Sequence, residues 1–242
     1  MVAATSRNYA KATIAFRVVR FIVAKIILKI LFRIKIEGLE NLPKEGGYIL
    51  AGNHLSWVDP FLMLGYFPTE PRIYFIAARE EVYHPAWRRF FTERVGGVIP
   101  IERDKGGASR ELLNLVKETL EGGGVLGMFP EGDVSGRETG KILPFKRGLG
   151  FFAAATGAPI VPVAFSGTKE LWVRRPIRMI IGQPIPGRKG GKEVSATLTE
   201  ETTAALLELL PPPMPTPPGR KFLYKFLTNL FTQEVKEHPT PE

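Results

Sequence analysis

From residue 48 to residue 210, short apolar runs alternate with stretches whose apolar residues recur every three to four positions. Residues 48–52 form an apolar run after a Gly-Gly turn and predict a strand. Residues 60–67 predict a helix with Pro60 at its first position. Residues 72–78 read as strand, 80–94 as a helix interrupted near His84-Pro85, and 97–103 as strand. Residues 109–121 carry Leu112, Leu113, Val116 and Leu120 on one face, open on a serine cap and end at three glycines. Strands follow at 125–129, 159–165 and 177–181, and helices at 147–156 and 196–210. Strands separated by helices predict one α/β domain over 37–210, with a largely parallel or mixed sheet flanked by helices.

The two ends break this rhythm. Residues 11–36 read KATIAFRVVRFIVAKIILKILFRIKI, apolar but with a charge every few positions. A membrane-spanning helix needs about 17–25 mostly uncharged residues, and a signal peptide an uninterrupted apolar stretch. On a helix, Lys25, Lys29 and Arg33 form one stripe and bulky apolar residues cover the other side, so residues 1–36 predict a basic amphipathic helix lying in the headgroup layer. At the other end, residues 211–219 are a proline-rich linker. In residues 220–242, Phe222, Leu223, Phe226, Leu227, Leu230 and Phe231 form an apolar stripe. That stripe fits either a helix folded back on the domain or a second membrane or partner contact.

Charge sharpens the reading of the front. The chain of 242 residues has a formal net charge of +9. Eight basic residues and no acidic one precede Glu37, leaving 25 basic and 24 acidic in the rest. The cationic character therefore belongs to residues 11–36, which seek an anionic membrane surface. Nucleic acid is not expected as a partner, because stacking aromatics and recognition motifs are missing there. The expected location is peripheral or monotopic on a membrane, at its cytoplasmic face. Zero cysteines exclude disulfides, zinc–thiolate sites, iron–sulfur clusters and thiol nucleophiles.

Candidate chemistry is sparse. One of only three histidines stands in NHLSWVDP, with His54 five positions before Asp59. A neutral imidazole accepts a proton on one nitrogen when the other keeps its hydrogen, and a carboxylate on that other nitrogen fixes this tautomer. The location, just after a strand, suits an α/β site. The same residues also fit a plain loop histidine and an aspartate N-cap before proline. None of the six serines stands in a nucleophile elbow, no glycine-rich stretch has the phosphate-loop pattern, and the histidines are too scattered to ligate a metal. A turn rich in Gly and charge, from Phe129-Pro130-Glu131-Gly132 to Ser135, precedes Lys146-Arg147, which opens a helix; such a turn can be merely solvated or can hold an anion.

Four stretches taken in order resemble the glycerolipid acyltransferases of the lysophosphatidic acid acyltransferase type. NHLSWVD is similar to the family's Asn-His-x4-Asp block, GGVIPIER to its second, FPEG to its third and APIVPVAF to its proline-bearing fourth; EGLENLP is similar to its lead-in. The resemblance covers residues 35–185. It implies that His54 is the general base, oriented by Asp59, and that no acyl-enzyme and no cofactor are needed. The implied co-substrates are acyl-CoA or acyl-carrier protein and a lysolipid acceptor. Arg103, Glu131 and Gly132 match positions that in the family bind and place the acceptor; Asn53 is a further substrate-binding candidate, and Lys146 and Arg147 are added as cations for the acceptor. The third block departs from the family, which usually continues Thr-Arg-Ser where this chain has Asp133-Val134-Ser135. That change sets an acceptor other than lysophosphatidic acid, a different lysolipid or glycerolipid, beside the first reading; a non-catalytic peripheral lipid-binding protein of the same fold is a separate alternative.

Overall fold

The computed structural model describes residues 9, 11–45, 47–78, 89, 97–101, 110–132, 142–212, 219 and 221–231. Seven strands form one sheet: β1 (Phe32–Glu37), β2 (Ile49–Gly52), β3 (Ile73–Ala78), β4 (Val98–Ile101), β5 (Val125–Met128), β6 (Ile160–Ser166) and β7 (Arg175–Ile181). Their order across the sheet is β1-β7-β6-β2-β5-β3-β4. Every neighbouring pair is parallel except β6 with β7. The three central strands are buried along their whole length, which is why they read as unbroken apolar runs.

Side chains alternate between the two faces of the sheet. Ile49 and Ala51 of β2 belong to one apolar cluster and Leu50 to the other. The first cluster also takes in α4 (Arg110–Glu121), α5 (Gly148–Thr156) and α6 (Lys192–Leu209), through Val116, Leu149 and Leu198. The second takes in α3 (Val58–Tyr66) and α7 (Tyr224–Phe231), through Leu62 and Leu227. Gly127 of β5 leaves room for an aromatic ring: a Cβ there would come within 2.6 Å of Phe75.

Several boundaries differ from expectation. The front segment runs through α1 (Ile14–Arg20), a wider π-helical stretch (Phe21–Leu28) and a closing turn, α2 (Lys29–Leu31). It then becomes β1, so the helix expected to reach residue 36 stops at Leu31. From Phe32 onward, Phe32, Ile34 and Ile36 alternate with Arg33 and Lys35, a period of two, and Ile34 pairs with Ile177 of β7. β7 begins two residues before residue 177, where the strand was expected, and α6 four before residue 196. The helix expected over 80–94 lies outside the described residues, except Arg89.

The front segment docks onto the domain through its first cations. Thr13 caps α1 by accepting the Phe16 N–H (3.2 Å). Arg17 pairs with Glu70 at 2.6 Å. Arg20 donates to the carbonyls of Leu64 and Phe67 and to the Thr69 hydroxyl. Phe16 and Leu28 are buried. The outward side is instead apolar: Ile14, Val18, Phe21, Ile22, Ile26, Ile27 and Ile30 are all exposed. Among the described residues no helix is long and apolar enough to cross a membrane.

The Ala12 N–H and the Arg17 guanidinium hold the Glu70 carboxyl below its ordinary range. A lowered folded-state value means the stabilisation is complete above the ordinary glutamate value and is lost as pH falls through the lowered one. Glu70→Gln is therefore expected to speed tryptic cleavage at Arg17 and Arg20 at neutral pH. Acidifying the parent protein should loosen residues 12–20 in hydrogen exchange corrected for intrinsic rates. Equal cleavage rates in parent and variant would remove Glu70 as the anchor.

Candidate active site

β2 and its two neighbours, β5 and β6, all run the same way, and their carboxyl ends deliver three loops to one place. This is where α/β sheets place their sites. β2 delivers Asn53-His54, β5 delivers Phe129 to Gly132, and β6 delivers Phe165-Ser166.

The loop after β2 is organised by one carboxylate oxygen. Asp59 Oδ2 accepts from the Leu55 N–H (2.7 Å) and the Ser56 N–H (2.8 Å), and lies 3.0 Å from His54 Nδ1. Asp59 is fully buried. It is not the helix cap: α3 starts at Val58 with Trp57 as the cap residue, and Asp59 sits inside the first turn with its side chain folded back over the loop. Pro60 is the third helical residue rather than the first. First-turn N–H groups have no intrahelical partner, so its missing hydrogen costs the helix nothing.

His54 is held on three sides. Its ring stacks on Phe129 with centroids 4.0 Å apart and an interplanar angle of 17°. Phe129 in turn stacks on Phe75. Trp57 approaches the histidine edge-on at 6.4 Å. Nδ1 faces Asp59, and the side chain is 12% exposed. A carboxylate only accepts, so this contact places the ring hydrogen on Nδ1 and leaves Nε2 as the acceptor nitrogen of the neutral ring.

Glu131 holds the histidine from the main-chain side. Its Oε1 accepts the His54 N–H at 3.0 Å and its Oε2 the Leu143 N–H at 3.0 Å. Burial pushes its carboxyl above the ordinary range, against the pull of the Leu143 and His54 amides. The residue thus joins the loop after β5 to the loop after β2. Asn53 is a bridge too: its amide donates to the Phe165 carbonyl (3.1 Å) and accepts the Phe165 N–H (2.7 Å), tying the end of β2 to β6. Both residues were expected among those that bind substrate. Here their described polar contacts go to the protein main chain.

Gly132 has a left-handed backbone (φ +73°) and lies under Lys146, whose Nζ is 3.3 Å from its carbonyl. A Cβ at Gly132 would sit about 2.4–2.5 Å from the lysine's terminal atoms, so the glycine is what lets Lys146 fold over this turn. Arg147 caps α5 and is exposed beside it. Arg103 and the stretch Asp133-Val134-Ser135 lie outside the described residues. Sequence reading overlooked the Phe129–His54 stack and the amide–Glu131 bond. The only available signal was that FPEG follows a buried strand.

The comparisons with known proteins agree with this picture. The Acyltransferase family model matches residues 33–166, more than half of the chain. The chain is 31% identical over 195 residues to 1-acyl-sn-glycerol-3-phosphate acyltransferase of Bacillus subtilis, covering 76% of this chain and 92% of that protein. It is 30% identical to the human 1-acyl-sn-glycerol-3-phosphate acyltransferase alpha, over 62% of this chain and 52% of the human protein. Among solved structures, the 1-acyl-sn-glycerophosphate (LPA) acyltransferase PlsC from Thermotoga maritima matches with a TM-score of 0.59 and 24% identity, covering 80% of this chain and 79% of that one. That likeness speaks for the α/β sheet described above, and the family match carries the chemistry further: this chain belongs to the acyltransferase family and is an O-acyltransferase.

Proposed function

We propose that the enzyme moves a fatty acyl group from a thioester, acyl-CoA or acyl-carrier protein, to the free sn-2 hydroxyl of 1-acyl-glycerol-3-phosphate. The observation that carries this reading is the 3.0 Å contact between His54 Nδ1 and Asp59, at the carboxyl end of the central strand. The relatives named for this activity support the acceptor. In the reaction, His54 Nε2 takes the hydroxyl proton as the acceptor oxygen attacks the thioester carbonyl carbon. The tetrahedral oxyanion collapses, the carbon–sulfur bond breaks, and the leaving thiolate takes the proton back from His54. Asp59 holds the Nδ1 hydrogen and stabilises the imidazolium formed in between. Lys146 and Arg147 supply positive charge for the acceptor's phosphate.

The acceptor and product are lipids, so the exposed apolar side of the front segment has a use. It meets an anionic membrane surface, with Lys29 and Arg33 reaching the headgroups. This supports peripheral attachment at the cytoplasmic face, where anionic lipids attract a basic segment.

A second reading rests on Asp133-Val134, which puts a negative charge where the family usually has Thr-Arg. It assigns a different lysolipid or glycerolipid as acceptor. An acceptor panel assayed by thiol release from acyl-CoA separates the two. Lysophosphatidic acid is expected to give a higher kcat/KM than zwitterionic or uncharged lysolipids, by tenfold or so for a lost charge-assisted pair. A preference for an uncharged or zwitterionic acceptor would overturn the first reading and favour the second.

A further inference from the structure

The tail helix α7 has two sides with different partners. On its inner side Leu227 is 2% exposed within the apolar core. The Thr228 hydroxyl accepts the Leu171 N–H (3.0 Å) and donates to the Leu171 carbonyl (3.2 Å). The Phe231 carbonyl accepts the Trp57 N–H at 2.9 Å, so the helix packs against the end of the loop that carries His54, just before α3 and Asp59. On the outer side, Phe222 is 71% and Phe226 62% exposed, with Leu223 and Leu230 exposed beside them. Four large apolar side chains, two on α7 and two on the turn just before it, are unfavourable in water and mark a contact surface.

Two observations say what covers that surface. First, the segment's own charges have one sign, and the neighbouring carboxylate, Glu170, accepts the Tyr224 hydroxyl at 3.2 Å. Lys221 and Lys225 flank the apolar side chains, and no acidic residue occurs from Lys221 to Phe231. A second copy docking the same cationic face would meet like charges, whereas an anionic headgroup layer would be attracted. Second, α7 begins where the front segment ends. The Arg174 N–H is bonded to the Leu31 carbonyl and the Val173 N–H to the Phe222 carbonyl, so adjacent amides of one turn hold both segments. The outward isoleucines of the front segment and the outward phenylalanines of the tail thus spread from a common turn.

We infer that α7 and the turn that leads into it form a second lipid-facing element, in which Phe222, Leu223, Phe226 and Leu230 enter the headgroup layer of an anionic bilayer and Lys221 and Lys225 meet its phosphates. The inference rests on the membrane reading of the front segment and extends it. Its consequence is a mechanical one: through Phe231 and Trp57, the catalytic loop is tied to an element seated on the membrane, where a lipid acceptor resides.

The test is vesicle flotation of the full chain with phosphatidylcholine vesicles, with and without added phosphatidic acid. Three variants are compared with the parent: Phe222→Ser with Phe226→Ser, Lys221→Glu with Lys225→Glu, and Ile22→Ser with Ile26→Ser. The phenylalanine variant is expected to partition at least about tenfold more weakly onto vesicles, since each exposed ring removes substantial buried area. The charge-reversed variant should lose the preference for phosphatidic acid. Thermal unfolding and sedimentation keep folding and assembly in view. If the parent does not float, or if only the isoleucine variant loses binding, the inference is overturned. It is equally overturned if the phenylalanine variant breaks a dimer and binds vesicles as the parent does, for then a second copy covers the helix. Thiol release with lysophosphatidic acid, measured in parallel on the parent, decides the proposed reaction separately from the flotation result.

Discussion

His54→Ala is expected to lower kcat for acyl transfer by about 10²–10⁴-fold, the usual contribution of a positioned general base. The fold should survive. Asp59, the main-chain ties to Glu131 and the Asn53 bridge do not depend on the imidazole, and His54 fills only the edge of the aromatic stack with Phe129 and Phe75. Removing a ring stacked at 4.0 Å leaves a small gap, so a modest fall in the thermal midpoint accompanies the lost rate. The deciding measurement is single-turnover transfer at saturating acceptor, together with an unfolding curve. A folded His54→Ala protein that retains turnover within about threefold of the parent would remove His54 as the base.

Asp59→Asn is expected to have the second largest effect, and on two observables at once. On the rate, an amide in place of the carboxylate no longer stabilises the imidazolium or holds Nδ1 protonated, and about 10²–10⁴-fold is lost in kcat. On stability, one buried oxygen now accepts three donors, from Leu55, Ser56 and His54. Neutralising it weakens charge-assisted bonds and costs roughly 1–3 kcal/mol. The two effects separate in the pH–rate profile. A purely structural role would lower the amount of folded protein without altering the profile, whereas loss of the orienting carboxylate shifts the limb that reports the base. An unshifted profile with kcat near the parent's would assign Asp59 to loop architecture alone.

The central strands announced themselves because burial on both faces of a parallel sheet leaves no polar positions. β1 did not, because its six residues sit at the sheet edge and continue directly from a helix of similar composition; only the switch from a period near four to a period of two marked it. The start of α3 was misjudged by two residues, because an Asp-Pro pair looks like a cap whether the aspartate faces the helix or the loop behind it. The front segment's cations read as a solvated or headgroup-facing set, yet Arg17 and Arg20 turn toward partners some fifty positions away in sequence, at Leu64 to Glu70. No local pattern announces a partner at that distance.

The sequence by itself determined the α/β architecture, the charge concentrated before Glu37, and the five-residue spacing of His54 and Asp59, all properties of neighbours along the chain. Tertiary structure alone decided what surrounds them. Glu131 grips the histidine's amide across 77 positions, Asn53 bridges to Phe165 across 112, and Phe231 at the end of α7 returns to accept the Trp57 N–H. The physical reason is that buried main-chain donors and acceptors must be paired, and after the ladder of the sheet ends, the nearest available partners lie in whichever loops the strand order brings alongside.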